Sequence, residues 1–440
     1  MTDATILSGE PAVAASPRRT PRQAWLWLGV LILVLVLPWL FYDWHTGRQS
    51  GFVLSMLSQM GMMVIFALSY NMLMGQAGLL SFGHAVLFGL PGYATIHFLN
   101  AAGNGTFPVP MELIPLVAGF AGLGFGIVYG YIAATQRATA FAMITLGLGE
   151  LTTVAGIMFH HFFGGEGGIS TDRVINQSIF GLSYAQSIQV YYLIVAWTVL
   201  AALGMLFLTK TPLGVMANAT RDNFERARFM GYDPRTVRFM QFALSGFFAG
   251  IGGGLYAITY EIVTYDAVAG TLSANVVLMT YIGGATFFYG PILGGALITL
   301  LQSGLSLLSN AWLIYVGVLF IGMVTFAPTG LAGMIEAHGP ILRAGRFGRL
   351  LKPYLRLSVP AIATLIGFAG VVELTSFLTI GEAQGKHLVL FGATIHARTV
   401  APWLVTAILL IGGGYWLRRE IHAFARVWED LTADLKERSL

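Results

Sequence analysis

The chain of 440 residues contains no cysteine. Disulfide staples, thiolate metal sites and a cysteine nucleophile are thereby excluded. Charge is also scarce: 10% of residues are Asp, Glu, Lys or Arg, against about 25% in an ordinary soluble domain. No G-x-x-x-x-G-K-[ST] phosphate loop occurs, and Gly385-Lys386-His387 lacks both its spacing and its hydroxyl residue. ATP is therefore no cofactor of this chain, and any hydrolysis belongs to a separate subunit. There is no H-E-x-x-H, no G-x-S-x-G and no tight cluster of His, Asp and Glu, so neither a hydrolase nor a metalloenzyme has residues to rest on. No metal site is expected; His160 and His161 are adjacent, point different ways on a helix and read as interfacial. Nothing points to nucleic acid.

What is abundant is apolar surface. Hydrophobic residues make up 56% of the chain and its mean hydropathy is +0.73. Lipid is the solvent for such a protein. Apolar runs fall at 24–41, 52–74, 83–101, 113–135, 138–160, 188–209, 239–262, 274–289, 291–309, 311–328, 357–380 and 401–417. About 20 helical residues cross a hydrocarbon core of ~30 Å, so most of these can span, while 274–289 and the stretch around Gly75 are short or broken. The expected fold is all-α: a polytopic transmembrane helical bundle with a broken or re-entrant segment near residues 75–83.

Charge placement sets an expected orientation. With a cytoplasmic N-terminus and every run crossing, 20 of the 24 basic residues lie inside, and only Arg48, Arg173, Lys386 and Arg398 lie outside. Both termini are then cytoplasmic. Residues 1–22 read as a polar cytoplasmic tail, followed by an anchor rather than a cleaved signal, since Tyr42-Asp43-Trp44-His45 is no small-residue cleavage site. On the outer side, Asn100 to Glu112 and Phe163 to Ser187 read as irregular loops rich in glycine or proline.

Three stretches stand out. Asn71 to Tyr93 reads NMLMGQAGLLSFGHAVLFGLPGY, and its glycines predict a helix ending near Gly75 and another beginning near Ser81. Such a break is tolerated in a membrane only where it faces protein or a water-filled path; a tight hairpin at the inner surface is the other reading. Leu213 to Met230 alternates charge at spacings of three and four, predicting a solvated amphipathic helix that stops at Gly231 before Asp233-Pro234. Gly246, Gly250 and Gly254 recur every four residues, as do Gly290 and Gly294, which predicts close helix packing.

Asn71 to Tyr93, Arg137 to Glu150 (RATAFAMITLGLGE), Thr211 to Tyr256, Tyr281 to Leu297 and Phe326 to Leu331 resemble, in order, the branched-chain amino acid ABC-transporter permeases of the LivM type, which also include urea and amide permeases. The resemblance covers about residues 50 to 335 and implies a bacterial inner-membrane importer. Such an importer has two different permeases, two ATP-binding subunits and an extracytoplasmic substrate-binding protein. It further implies a permease domain over 23–335 whose cytoplasmic segment 210–238 carries a coupling helix related to E-A-A-x-x-x-G. Glu225-Arg226-Ala227 followed by Gly231 occupies that pattern with arginine in place of the first alanine, and Arg221 and Asp222 precede it. Residues 336–440, with two apolar runs, Glu373, Glu382, Lys386, His396 and a charged tail, form an extension outside the resemblance.

Asn71, Gln76, Ser81 and His84 could line a substrate path at the break, although a lone membrane histidine also serves packing or an interhelical hydrogen bond. Glu150 lies in an apolar run, where an uncompensated charge costs roughly 2.5–3.5 kcal/mol, and so faces a partner or a cavity; a functional role and a structural carboxylate are both open. An ion-coupled secondary transporter would carry charged pairs inside its spans, and little besides Glu150 is there.

Overall fold

A computed structural model describes residues 21–43, 48–103, 109–134, 136, 138–175, 178–381, 388–390, 393–395 and 397–437. Most of the expected tail, together with Arg137, Glu382, Lys386 and His396, lies outside the described residues. The chain divides into two compact units after Leu54. The first holds α1 (Pro21–Leu40), a two-residue antiparallel ribbon pairing Tyr42 with Gln49, and the start of α2 (Gly51–Asn71). The apolar part of α1, Trp27–Leu40, is short for a span.

The second unit is a helical bundle. After α2 come α3 (Val86–Gly103), α4 (Ile114–Ala133), α5 (Ala138–Met158), the single turn α6 (His160–Phe163), α7 (Ser187–Lys210), α8 (Pro212–Asp222), α9 (Phe224–Phe229) and α10 (Pro234–Tyr260). Then follow α11 (Gly270–Gly283), α12 (Gly290–Leu308), α13 (Trp312–Phe326), α14 (Gly330–Arg343), α15 (Gly348–Ser376) and α16 (Val400–Glu437). Among the described residues eight helices are long and apolar enough to cross a membrane, or nine if the pair α13 and α14, bent by 46°, counts as one span. The protein is thus a multi-pass membrane protein. The run at 274–289 becomes α11, fourteen residues and therefore about 21 Å long, short of the hydrocarbon thickness. The run at 83–101 becomes α3, whose first eleven residues include ten that are buried, so it is an inner helix rather than a lipid-facing one.

Helix α10 is the hub: 78% of its apolar window is buried, against 6% for α16. Glycine makes that burial possible. A Cβ on Gly122 of α4 would sit 2.2 Å from the Gly246 carbonyl, and one on Gly250 would sit 2.5 Å from that of Ala118. Backbones that approach so closely gain dispersion contact that lipid tails cannot offer. The same device joins α12 to α11, where a Cβ on Gly294 would meet the Met279 carbonyl at 1.8 Å. Phe66, Leu73, Phe88, Phe141, Phe242 and Met279 fill the core between.

Two loop expectations are refined. The stretch after Phe163 is partly ordered: Ile169 pairs with Val263 and Ser170 with Ile262, and Arg173 donates from Nε to the Tyr184 carbonyl at 2.8 Å and pairs with Glu261 at 3.7 Å. Glu112 is buried, accepting from the Ile179 amide at 3.2 Å and from the Tyr184 hydroxyl at 3.1 Å, which pins this segment to the start of α4. Beyond residue 340, α15 and α16 form an antiparallel hairpin in which Gly367 abuts the Leu410 amide and Gly413 abuts that of Thr364. The Tyr315 hydroxyl of α13 donates to Glu373 at 2.8 Å and ties the hairpin to the bundle. At 38 residues, α16 is about 57 Å long, nearly twice the hydrocarbon core; its far end packs Leu431, Phe424 and Trp428 on Ile341 and Leu350, and Asp434 pairs with Arg346.

Candidate functional site

The break between α2 and α3 is real, and wider than its glycines predict. Helix α2 runs into a π-turn over Met72–Gln76, and α3 begins at Val86 rather than near Ser81. The chain turns at Gly78, whose φ of +66° lies in the left-handed region. Ser81 and Phe82 stay outside α3, while Gly83 to Ala85 lead into it as a tight turn whose carbonyls accept from the Val86, Leu87 and Phe88 amides at 3.2, 3.0 and 3.0 Å, and neighbouring helices take two of the amides of this segment. Phe82 N donates to Thr145 Oγ1 of α5 at 3.2 Å and Ala85 N to Ser273 Oγ of α11 at 2.9 Å. Gly83, between them, is pressed on α5 so tightly that a Cβ would lie 2.0 Å from the Thr145 carbonyl. The Phe82 and Ala85 amides are thus satisfied inside protein, as irregular chain at membrane depth requires.

Four of the residues expected along a substrate path lie at this break and are closed off: Asn71 is 3%, Gln76 8%, Ser81 0% and His84 0% exposed. His84 stacks on Phe66 with ring centroids 5.3 Å apart and meets the edge of Tyr70 at 5.1 Å. Its Nε2 lies 3.1 Å from Ser69 Oγ, and because that hydroxyl donates to the Phe66 carbonyl at 2.7 Å, the imidazole is the donor and Nδ1 is left bare. Asn71 Oδ1, Gln76 Oε1 and Ser81 Oγ are likewise buried without a hydrogen-bond partner. Each such atom carries a desolvation cost of about 1–3 kcal/mol, and several of them are concentrated at this one break.

The segment expected to be one amphipathic helix is two. Asn223, in extended conformation with φ −155°, separates α8 from α9 and caps α9 by accepting from Arg226 N at 2.9 Å. Helix α9 ends in a Schellman motif: Tyr232 N donates to the Ala227 carbonyl at 3.3 Å and Gly231 N to that of Arg228 at 3.0 Å, with Gly231 at φ +87°. Asp233 then caps α10, and the Thr236 hydroxyl and the Arg235 and Thr236 amides hold its carboxyl below the usual range. Asp222 pairs with Arg221 at 3.0 Å, Glu225 and Arg226 are exposed, and Ala227 is buried where α9 meets the bundle.

Sequence reasoning missed the tip of this unit. Phe229 is 90% exposed, with Met230 and Tyr232 exposed beside it. The phenylalanine protrudes between a helix end and a tight turn. Its signal was available in the apolar pair Phe229-Met230 directly before a glycine stop, inside an otherwise charged stretch.

The break and the charged unit touch. Arg221 donates from Nη1 to the Gly75 carbonyl, and its side-chain stem covers Gly78. A helix outside the spans is thereby bonded to the point where α2 comes apart. Glu150 stands elsewhere: it is exposed on α5, with its Oε1 beside Gly270 of α11, and among the described residues it makes no hydrogen bond inside the bundle. The structural-carboxylate reading has no partner there. Among the described residues no group of three or more His, Asp or Glu could hold a metal ion.

Comparisons with known proteins agree with this architecture. The chain is 25% identical over 326 residues to the high-affinity branched-chain amino acid transport system permease protein LivM of Escherichia coli, covering 69% of this chain and 74% of the relative. It is 24% identical to the same-named protein of Salmonella typhimurium, over 62% of this chain and 68% of the relative. It is also 24% identical to the fructose import permease protein FruF of Bifidobacterium longum, over 61% and 72%. No solved structure matches significantly. The family described as branched-chain amino acid transport system, permease component, matches residues 52–327, which take in the break, α8, α9 and the glycine-packed core, and the chain belongs to that family.

Proposed function

We propose that this chain is the membrane-spanning subunit of a binding-protein-dependent ABC importer for branched-chain or other hydrophobic amino acids, and that α8 and α9 transmit the work of separate ATPases to the break at Gly75. The observation that supports the proposal is the bond from Arg221 to the Gly75 carbonyl, which joins α8 to the end of α2. The partners are a second, homologous permease, two ATP-binding subunits and an extracytoplasmic binding protein. In this reading both termini, α8 and α9 lie on the cytoplasmic side, and the excess of basic residues around α8 and α9 supports it. Arg221, Asp222, Glu225, Arg226, Ala227 and Gly231 form the coupling unit, with Phe229 as the anchor that enters an ATPase groove. Asn71, Gln76, Ser81 and His84 are the polar groups uncovered when the break opens, while Glu150, which the sequence groups with them, faces outward on α5. The unpartnered oxygens and His84 Nδ1 accept hydrogen bonds, matching the ammonium group of an amino acid; a urea or short amide, rich in N–H donors, is the second substrate reading.

The test is recovery of the tagged protein in mild detergent, followed by uptake of labelled leucine and of labelled urea into proteoliposomes. An ATPase and a second permease are expected to accompany the wild type, with leucine uptake that requires ATP and the binding protein. Phe229→Ala is expected to lower ATPase retention roughly 30-fold, the effect of losing one hot-spot aromatic worth about 2 kcal/mol. A wild type that comes out alone and carries solute without ATP makes it a secondary transporter instead.

A further inference from the structure

Helix α5 presents an exposed stripe along its whole length, Ala140, Met143, Gly147, Glu150 and Val154, at the spacing of one helix face. Glu150 lies about 12 Å from one end of α5 and about 18 Å from the other, which is mid-membrane depth. Its Oε1 lies 2.9 Å from where a Cβ on Gly270 would sit, so the carboxylate rests at the first residue of α11. The positive end of α11 favours an anion there without removing its exposure. Nothing lies within 4 Å of a Cβ on Gly147, one turn away, and the face continues across α11 through exposed Thr271 and Tyr281. Lipid tails are a poor solvent for this carboxylate. An exposed charge at that depth, beside an open notch and on the helix that holds the break through Thr145, marks a surface that protein covers.

We infer that the α5–α11 face is the contact surface for the second permease, with Glu150 at its centre. The occupant is a different chain rather than a second copy. A two-fold pair of identical chains would bring the same patch against itself and set one Glu150 towards the other, two like charges in a medium of low dielectric. A homologous but distinct permease can bring a hydrogen-bond donor or a cation to that position. The inference rests on the importer reading, and it adds which surface meets the partner.

A side chain at Gly147 starts from open space, with nothing within 4 Å of its Cβ, so Gly147→Trp is expected to stay monodisperse while its recovery of the second permease falls at least fivefold. Gly124→Trp, equally open but on α4, is expected to retain the partner at the wild-type level. A photo-crosslinking residue at Met143 or Val154 is expected to capture the second permease, and one at Phe207, 70% exposed on α7, is not. Wild-type recovery of the partner by Gly147→Trp, or crosslinks from Met143 to lipid alone or to another copy of this chain, overturns the assignment while leaving the importer reading intact. If the wild type itself recovers no second permease, the importer reading falls and the surface assignment with it.

Discussion

Arg221→Ala is expected to lower ATP-driven uptake at least tenfold while the ATPases remain bound and continue to hydrolyse ATP. The side chain joins α8 to the break by donating to the Gly75 carbonyl, and its stem lies over Gly78, where the chain turns. Removing a charge-assisted hydrogen bond of this kind costs about 1.5–3 kcal/mol and leaves the carbonyl without its donor. The larger consequence is mechanical. Helices α8 and α9 still present Phe229, so docking persists, but movement of the pair no longer pulls on the end of α2. Arg221→Lys keeps a donor on a shorter, single-pointed head and is expected to restore part of the uptake. Hydrolysis and uptake measured on the same proteoliposomes decide the matter: an Arg221→Ala protein with wild-type uptake per ATP removes this residue from the coupling path.

Gly253→Ala is expected to be among the most damaging single methyls that can be introduced into the bundle without altering charge or polarity. The new Cβ would lie 1.9 Å from the Phe88 carbonyl, a contact between two helix backbones that no rotamer change relieves. Helix α3 must move off α10, and with it the carboxyl side of the break. Overpacking of this kind costs about 3 kcal/mol, enough to lose a large share of folded protein. Gly124→Ala, with open space around its Cβ, is expected to leave the melting temperature in detergent unchanged or slightly raised. Equal melting temperatures for the two variants would show that α3 and α10 are held apart in solution and would remove the close-packed interface described above.

Much of this was legible in the order of residues. Long apolar runs in a chain with 10% charge dictate membrane helices, because no other arrangement satisfies the backbone in lipid. The spacing of Gly246, Gly250 and Gly254 announced a helix face built for contact, and α4 occupies it through Gly122 and Ala118. Gly231 followed by Asp233-Pro234 foretold the end of one helix and the cap of the next, since a positive φ and a missing N–H are properties of single residues. Such features are local, and local features can be read along a chain.

Other features were decided by contacts between distant residues. The entry into α3 is held in place by Thr145 and Ser273, from two other helices, which accept the amides of Phe82 and Ala85. Nothing in the spacing of Leu213 to Met230 requires Asn223 to be extended; α8 bends at that residue as Arg221 reaches Gly75, 146 positions earlier. Glu150 reads in sequence as a charge that protein should enclose, yet the packing of Thr145 and Gly149 against the break turns it outward. Composition and periodicity determined that this protein is a bundle of membrane helices with one weak point and one charged unit. Only the tertiary structure decided that the two are bonded together and that Glu150 faces outward, because side-chain donors find their acceptors in space and not along the chain.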